Sequence, residues 1–255
     1  MSIASEIQRL QNDSSAIAQA IAAKGVTVPS GSGYDDYASL IGSIETGGGG
    51  SPLPYTPLEY IETDGTAYIN SGVIAKEPMI FDLKIKLNAS APNGEIYVGV
   101  GNVDGNANTL NGLWRSSTYP GRIGYGYYYL YSSILTPSSL DNPICVSTCL
   151  RSGTCNMGYK VEGGTSYTSA TKSITRAVVT SLPLYIFATN LGGSVAGRAT
   201  SGTRIYYIKI CCGSSFPMVA FDGIPVLYNG EYGLWDRVTN SFFGNAAGSG
   251  SFTGA

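Results

Sequence analysis

Four consecutive glycines, Gly47 to Gly50, separate two hydrophobic rhythms that cannot be buried in the same kind of structure. Before them, apolar residues recur every three or four positions, the period of a helix. After them they recur every second position, the period of a strand. Glycine offers no side chain to pack and loses the most backbone freedom on ordering, so neither rhythm passes cheaply through such a run. The chain is therefore expected to divide there, into a helical segment over residues 1–46, a Gly/Pro-rich linker over 47–54 and a β domain over 55–255.

In the first segment Ile3, Ile7, Leu10, Ile17 and Ile21 follow a 4–3 alternation, with Ser14 filling the missing step. This is the seven-residue repeat of a coiled-coil seam. Glu6, Gln8, Arg9, Gln11, Ala16, Ala18, Gln19 and Ala20 around it are good helix formers, and Lys24-Gly25 is a suitable stop. A helix of about 20 residues with so narrow a stripe is marginal alone. It either lies along its own domain or self-associates. Isoleucine at both seam positions favours more than two strands, so a parallel homotrimer is the expected assembly, with Ser14 as a polar register mark. A second short helix is predicted where Tyr37, Leu40, Ile41 and Ile44 share a face, with Asp35 and Asp36 near its amino end.

Beyond the glycines, Met79, Phe81, Leu83, Ile85 and Leu87 alternate with Ile80, Asp82, Lys84 and Lys86. That is a half-buried strand. Strands are also expected over 95–100, 204–210 and 218–227. Turn signals punctuate the run: Asp64-Gly65, Pro92-Asn93-Gly94, residues 102–106, Asn111-Gly112 and Asn229-Gly230. Many short antiparallel strands without a helical stretch predict a mainly β fold, two antiparallel sheets packed as a sandwich or jelly roll. Residues 244–255 read as a loop, with Phe252 returning into the domain.

Composition removes several function classes. Charged residues are 13% of the chain, about half the usual share, and the net charge is −2. Lys and Arg are scattered, so neither nucleic acid nor an anionic membrane is an expected partner. No apolar stretch approaches the length of a membrane span, and residues 1–13 lack the pattern of a secretory signal, so synthesis and folding in a cytoplasm are expected. The chain has no histidine, which excludes Ser–His and Cys–His nucleophile pairs. Its five cysteines, Cys145, Cys149, Cys155, Cys211 and Cys212, lack the CxxC spacing of structural zinc sites and read as thiols. Gly99-Val100-Gly101 has neither the lysine nor the strand-to-helix setting of a phosphate loop.

Two stretches resemble a known family. Leu58-Glu59-Tyr60-Ile61-Glu62-Thr63-Asp64-Gly65-Thr66-Ala67-Tyr68-Ile69-Asn70-Ser71-Gly72-Val73 is similar to the opening strands of a laminin-G/concanavalin-like domain common in phage structural proteins. Residues 204–210, Gly233-Leu234-Trp235-Asp236, Phe242-Phe243-Gly244-Asn245 and residues 248–252 fit the same family's carboxyl end. The segments 6–10, 24–29 and 35–38 resemble an adaptor of phage tail and head-fibre proteins. The resemblance implies a trimeric phage fibre protein located in the virion. Its N-terminus would attach to other virion proteins, and its β domain would contact host glycan or protein or serve structure alone.

Candidate ligand contacts are aromatic. Tyr125, Tyr127, Tyr129 and Tyr131 occupy alternate positions and are expected on one face of a strand, with Trp114 and Tyr119 near in sequence. Tyrosine offers a broad ring and a hydroxyl at low entropic cost, which suits sugar and protein surfaces. The same row is equally explained by ring packing on a sheet or at a trimer interface. Trp235 reads as core or turn packing. A glycosidase needs two carboxylates across one bond, and none of Glu59, Glu62, Asp222, Glu231 or Asp236 forms such a pair by spacing. No catalytic residue and no cofactor is expected. Asn102, Asp104, Asn106 and Asn108 alternate like calcium ligands, but only one is charged and no terminal glutamate follows, so no metal is expected.

Overall fold

In the computed structural model, the described residues are 3–22, 26–42, 53–90, 94–101, 111–116, 121–127, 131–137, 140–151, 153–173, 180–213 and 218–255. Residues 47–52 of the linker, the Asn102–Asn108 series, Ile44, Tyr119 and Tyr129 lie outside them. The chain forms two compact units, Met1–Pro54 and Tyr55–Ala255.

The first unit holds α1 (Ile3–Ala22) and α2 (Tyr34–Gly42). Gly33 and Asp36 cap α2 reciprocally: the Gly33 N–H donates to Asp36 Oδ2 (2.9 Å) and the Asp36 N–H to the Gly33 carbonyl (3.1 Å). Tyr34 Oη donates to the Leu10 carbonyl (2.8 Å) and Tyr37 Oη to that of Ser14 (2.9 Å), so α2 packs on the apolar stripe of α1. Tyr37 and Ile21 are buried and Ile17 half-buried, whereas Ile7, Leu10, Tyr34 and Ile41 stay exposed. Along the expected seam, the described side chains are thus covered unevenly. At Ser14 its partner is Tyr37 of the same chain, because a polar seam residue accepts a phenol as readily as another helix. Ile41, one turn beyond Tyr37 on α2, is exposed.

The second unit is mainly β. Its strands begin with β1 (Thr56–Pro57), β2 (Ile61–Thr63), β3 (Ile69–Ile74), β4 (Met79–Lys86), β5 (Ile96–Gly101) and β6 (Asn111–Arg115). Next come β7 (Ile123–Tyr127), β8 (Tyr131–Leu135), β9 (Ile144–Arg151), β10 (Thr154–Val161), β11 (Thr168–Ser173), β12 (Pro183–Ile186) and β13 (Ala188–Leu191). The last are β14 (Ser194–Arg198), β15 (Arg204–Cys212), β16 (Met218–Tyr228), β17 (Glu231–Asp236), β18 (Ser241–Phe243) and β19 (Phe252–Gly254). Among the described residues they form two sheets. The larger runs β11-β10-β9-β4-β15-β16-β17-β18, with β1 on β16 and β2 bonded to both β15 and β19. The smaller runs β14-β13-β5-β6-β7-β8, with β12 joining β3 and β5. Every pairing is antiparallel except β13 with β5, where Phe187 at φ 66° reverses the chain between β12 and β13.

Among the described residues the main core draws on both sheets, and Ile96 and Trp114 form a small second cluster. Met79, Phe81, Leu83 and Ile85 are fully buried while the residues between them are half-exposed, the alternation expected for β4. Each contributes roughly 1.5–3 kcal/mol of transfer free energy. Phe81 meets Tyr125 of the smaller sheet edge-on at 5.4 Å, and Phe187 meets Phe252 of the larger at 5.3 Å. Phe252 thus returns into the core as expected, but on a strand rather than a loop.

The tyrosine row requires correction. Residues 125–131 do not share one strand: Tyr125 and Tyr127 end β7, Tyr131 opens β8, and Tyr127 and Tyr131 are register partners on adjacent antiparallel strands. Alternation in sequence persists through a hairpin, so spacing alone did not reveal the reversal.

Asp64 joins the domain's ends. Its carboxylate accepts the N–H groups of Thr66 (2.7 Å), Ala67 (3.0 Å) and Ser251 (2.7 Å). Desolvation works to raise its pKa, but these N–H groups outweigh it and hold the carboxyl below its ordinary range. A depressed carboxyl contributes stability above its unfolded pKa, and the contribution is lost as pH falls through the folded value. Asp64→Ala should therefore cost about 1 kcal/mol near neutral pH, a drop of about 2–4 °C in Tm. The gap to the parent protein, followed by thermal melts, should close as pH falls below about 4. A gap unchanged in acid would exclude the carboxylate as its cause.

Candidate functional site

The expected aromatic contacts are placed as follows. Tyr125 is fully buried, with its hydroxyl donating to the Met79 carbonyl (3.1 Å), and burial pushes its phenol well above the ordinary range. Trp114 is buried beside Ile96. Both are buried, where the sequence leads to an expectation of accessible rings. The reason is local: Gly124 and Gly126 flank Tyr125 on β7, and a Cβ on Gly124 would lie 2.9 Å from the Trp114 ring, so the indole is laid over a glycine.

Two groups of half-exposed aromatic residues sit elsewhere, on the outer face of the larger sheet. The first arises from a β-bulge. Ile205 pairs with Ile85 and Tyr207 with Lys84, so Tyr206 is the extra residue, and Tyr206 and Tyr207 both emerge half-exposed. Tyr206 packs against Tyr60 at 5.7 Å. Lys84 Nζ lies 4.5 Å from the Tyr206 ring centre and the Arg204 guanidinium 4.2 Å from that of Tyr60. Each cation is also bonded to a carboxylate, Lys84 to Glu162 and Arg204 to Glu62, and those hydrogen bonds raise both cations' pKa values. Rings and charges in this group are therefore matched within the protein.

The second group is Tyr55, Tyr228, Trp235 and Phe242, all half-exposed. Trp235 is 4.7 Å from Tyr55 and 5.7 Å from Tyr228, and Tyr228 is 5.1 Å from Phe242. The hairpin between β16 and β17 sets this arrangement. Asn229 (φ 50°) and Gly230 (φ 83°) adopt the positive angles of a type I′ turn, which pairs Tyr228 with Glu231 and Ile224 with Trp235. Across β18, Trp235 pairs with Phe242. A Cβ on Gly233 would lie 2.7 Å from the Phe242 ring, so glycine is what lets that ring lie flat on the sheet. The clue in the sequence was the alternation from Glu231 to Asp236. Leu234 and Asp236 are buried, which leaves Glu231 and Trp235 on the outside.

The carboxylates are dispersed. Asp236 is buried and accepts the N–H groups of Asp222, Val238 and Thr239 together with the Thr239 hydroxyl. Asp222 is paired with Arg237 (2.9 Å) on the opposite side of the sheet from Asp236. Glu62 is held by Arg204, and Glu59 and Glu231 are exposed. One buried acid had not been singled out from the sequence: Glu95 accepts from Tyr97 Oη (3.0 Å) and the Thr200 N–H, with Arg115 Nη1 at 3.9 Å. Arg115 in turn donates to the carbonyls of Asn88 (2.8 Å) and Ala89 (3.2 Å), so this cluster fastens the turn after β4. None of the five cysteines forms a disulfide. Among the described residues no group of three or more Cys, Asp or Glu side chains is arranged to hold a metal, and no helix is long and apolar enough to cross a membrane.

No family model matches the chain, and no curated protein matches it in sequence. Among solved structures it is similar to full-length tailspike protein 2 from an Escherichia coli O157:H7 bacteriophage, with a TM-score of 0.41 and 14% identity, covering 60% of this chain and 22% of that one. It is also similar to the enzymatically active domain of tailspike protein 2 from bacteriophage CBA120, with a TM-score of 0.38 and 13% identity, covering 66% of this chain and 30% of that one. The chain thus spans less than a third of either.

The two tryptophans report on the site directly. Trp235 is half-exposed and Trp114 buried. Iodide should quench only part of the native emission, and Trp235→Phe should abolish the quenchable part and leave blue-shifted fluorescence. Quenching that survives in this variant would show Trp114, the one tryptophan left, to be open to solvent.

Proposed function

We propose that this chain is a phage virion appendage whose β domain, of laminin-G jelly-roll type, holds on to host-surface glycan without catalysis. The uncapped aromatic group around Trp235 carries the adhesive part of this reading. A rigid, half-exposed set of rings offers apolar area to the C–H face of a sugar at little entropic cost. The rings of Tyr60 and Tyr206, already faced by cations, offer less.

The phage assignment rests on the sequence resemblance, and one structural fact supports treating its two halves as a unit. The Leu58–Val73 stretch and the carboxyl end pair directly, through Ile61↔Gly254 and Thr63↔Phe252. The non-catalytic reading is supported by the carboxylates: Asp222 and Asp236, neighbours across β16 and β17, face opposite sides of the sheet and are each engaged by other groups. A pair on opposite faces cannot flank one glycosidic bond. The helical unit serves attachment to the particle and trimerisation. Ile7 and Leu10, which α2 leaves exposed, supply the contact between copies.

Trp235→Ala should reduce host-cell binding by tenfold or more, on the order of 2 kcal/mol for loss of an aromatic anchor, with the thermal melt little changed. Binding that is unaltered, or absent from the parent protein on every host tested, favours a purely structural appendage. Removal of residues 1–46 should leave a folded β domain that light scattering reports as a monomer. A truncated protein that remains trimeric would transfer the oligomer contact to the β domain.

A further inference from the structure

Beside the aromatic group around Trp235 stands one carboxylate, Glu231, whose chemistry restricts the ligand further. Glu231 opens β17 directly after the Asn229-Gly230 turn, opposite Tyr228 and on the same side of the sheet as Trp235. Its carboxylate lies beside Phe242: a Cβ built on Gly244 would meet Glu231 Oε2 at 3.2 Å and the Phe242 ring at 3.0 Å. On its other side Glu231 borders a cavity of about 480 Å³ lined by Tyr232, Asn245, Ser251, Phe252 and three glycines, to which Trp235 and Phe242 do not contribute. That volume lies within the range of small-ligand sites. Above Gly230 and Gly248 a Cβ would meet nothing, so the main chain there is open to approach.

The polar groups of this cavity differ in what they can still bind. Asn245 is fully engaged: its Oδ1 accepts the N–H groups of Tyr68 and Ala247, and its Nδ2 donates to the carbonyls of Ser249 and Gly250. The Ser251 N–H is given to Asp64. Glu231 is exposed, and no ion pair or hydrogen bond engages its carboxylate among the described residues. An acceptor of charge −1, next to apolar rings and with no paired cation among the described residues, favours donors that are themselves uncharged. Two vicinal sugar hydroxyls match a carboxylate's two oxygens, whereas a uronate, sialate or phosphate would meet repulsion at close range.

The geometry points to a binding subsite for neutral, hydroxyl-rich glycan in which Phe242 and Trp235 face the sugar ring and Glu231 accepts its hydroxyls. This inference rests on the adhesive reading above and names its ligand class. It excludes acidic capsular sugars from this subsite, a restriction that the aromatic group alone does not impose.

Affinity electrophoresis of the full chain through gels containing dextran, mannan or galactan, against polygalacturonate or polysialic acid, tests it. Retardation is expected in at least one neutral polymer and in neither acidic one. Glu231→Gln should weaken the neutral interaction roughly tenfold, the scale of one charge-assisted hydrogen-bond partner, with Trp235 fluorescence unchanged as evidence of an intact fold. Glu231→Lys should confer retardation by the acidic polymers. Equal retardation of the parent protein by acidic polymers, no retardation by any neutral one, or an unaltered Glu231→Gln variant would each overturn the inference. Host-cell binding that still depends on Trp235 under those outcomes would leave the adhesive reading standing. Loss of that dependence as well would remove both.

Discussion

The β domain depends on a strand of only three residues, β2, that is hydrogen-bonded along both edges. On one side Ile61 and Glu62 pair with Ile205 and Arg204; on the other, Ile61 to Thr63 pair with Gly254 to Phe252. So short a strand has little stability of its own. It is held because Ile61 is fully buried, Thr63 and Phe252 nearly so, and because Asp64 binds the Ser251 N–H across 187 residues of chain. Immediately after Asp64 the chain crosses to the other sheet, where Ile69 of β3 is buried against β12. One short segment therefore closes the domain's ends and links its two layers. This accounts for the position of the most distinctive sequence stretch, Leu58–Val73, at this point of the fold.

What could be read from the sequence follows from what a period can encode. In β4 the alternation from Met79 to Lys86 defines both the strand and its buried face, since each burial is decided by the residue's own polarity. Aromatic residues do not decide their own burial in this way. Tyr125 and Tyr207 have the same side chain, yet one is sealed in the core and the other emerges beside a bulge, and only pairing with neighbouring strands separates them. Trp235 illustrates the same limit. Its exposure follows from Leu234 and Asp236 facing inward, and an inward-facing aspartate is intelligible only once the donors from Asp222, Val238 and Thr239 are known. In the helical unit, the seven-residue repeat marks a stripe that must be covered but carries no record of what covers it. Tyr37 covers Ser14 from within the chain.

The charged interior groups hold main-chain segments in position. Glu95 and Arg115 are both buried, and taking either out of water unpaired would cost several kcal/mol. The cost is offset because their hydrogen bonds run to main-chain groups at Asn88, Ala89 and Thr200, all in connections rather than strands. Such connections cannot satisfy their carbonyls and N–H groups through a ladder, so a buried ionic side chain does it for them. Asp236 does the same for the turn between β17 and β18. At Asp236 each carboxylate oxygen accepts two donors, whereas Glu95 accepts one hydrogen bond from Tyr97 Oη and one from the Thr200 N–H.

The same accounting of partners separates the two aromatic groups on the outer face. At Tyr60 and Tyr206 the attractive faces of the rings are met by Arg204 and Lys84, and those cations are met by Glu62 and Glu162. A ligand arriving there would have to displace interactions of similar strength before gaining its own. At Trp235 the rings touch one another with no cation over them among the described residues, and the nearby carboxylate of Glu231 is unengaged. Binding there adds contacts without breaking any, and the type I′ turn together with Gly233 holds the surface in place beforehand, so little ordering entropy opposes it. A surface that is both unsatisfied and rigid is where recognition costs least, and this is the ground for proposing the contact on the β16–β17 hairpin rather than on the more highly charged centre of the sheet.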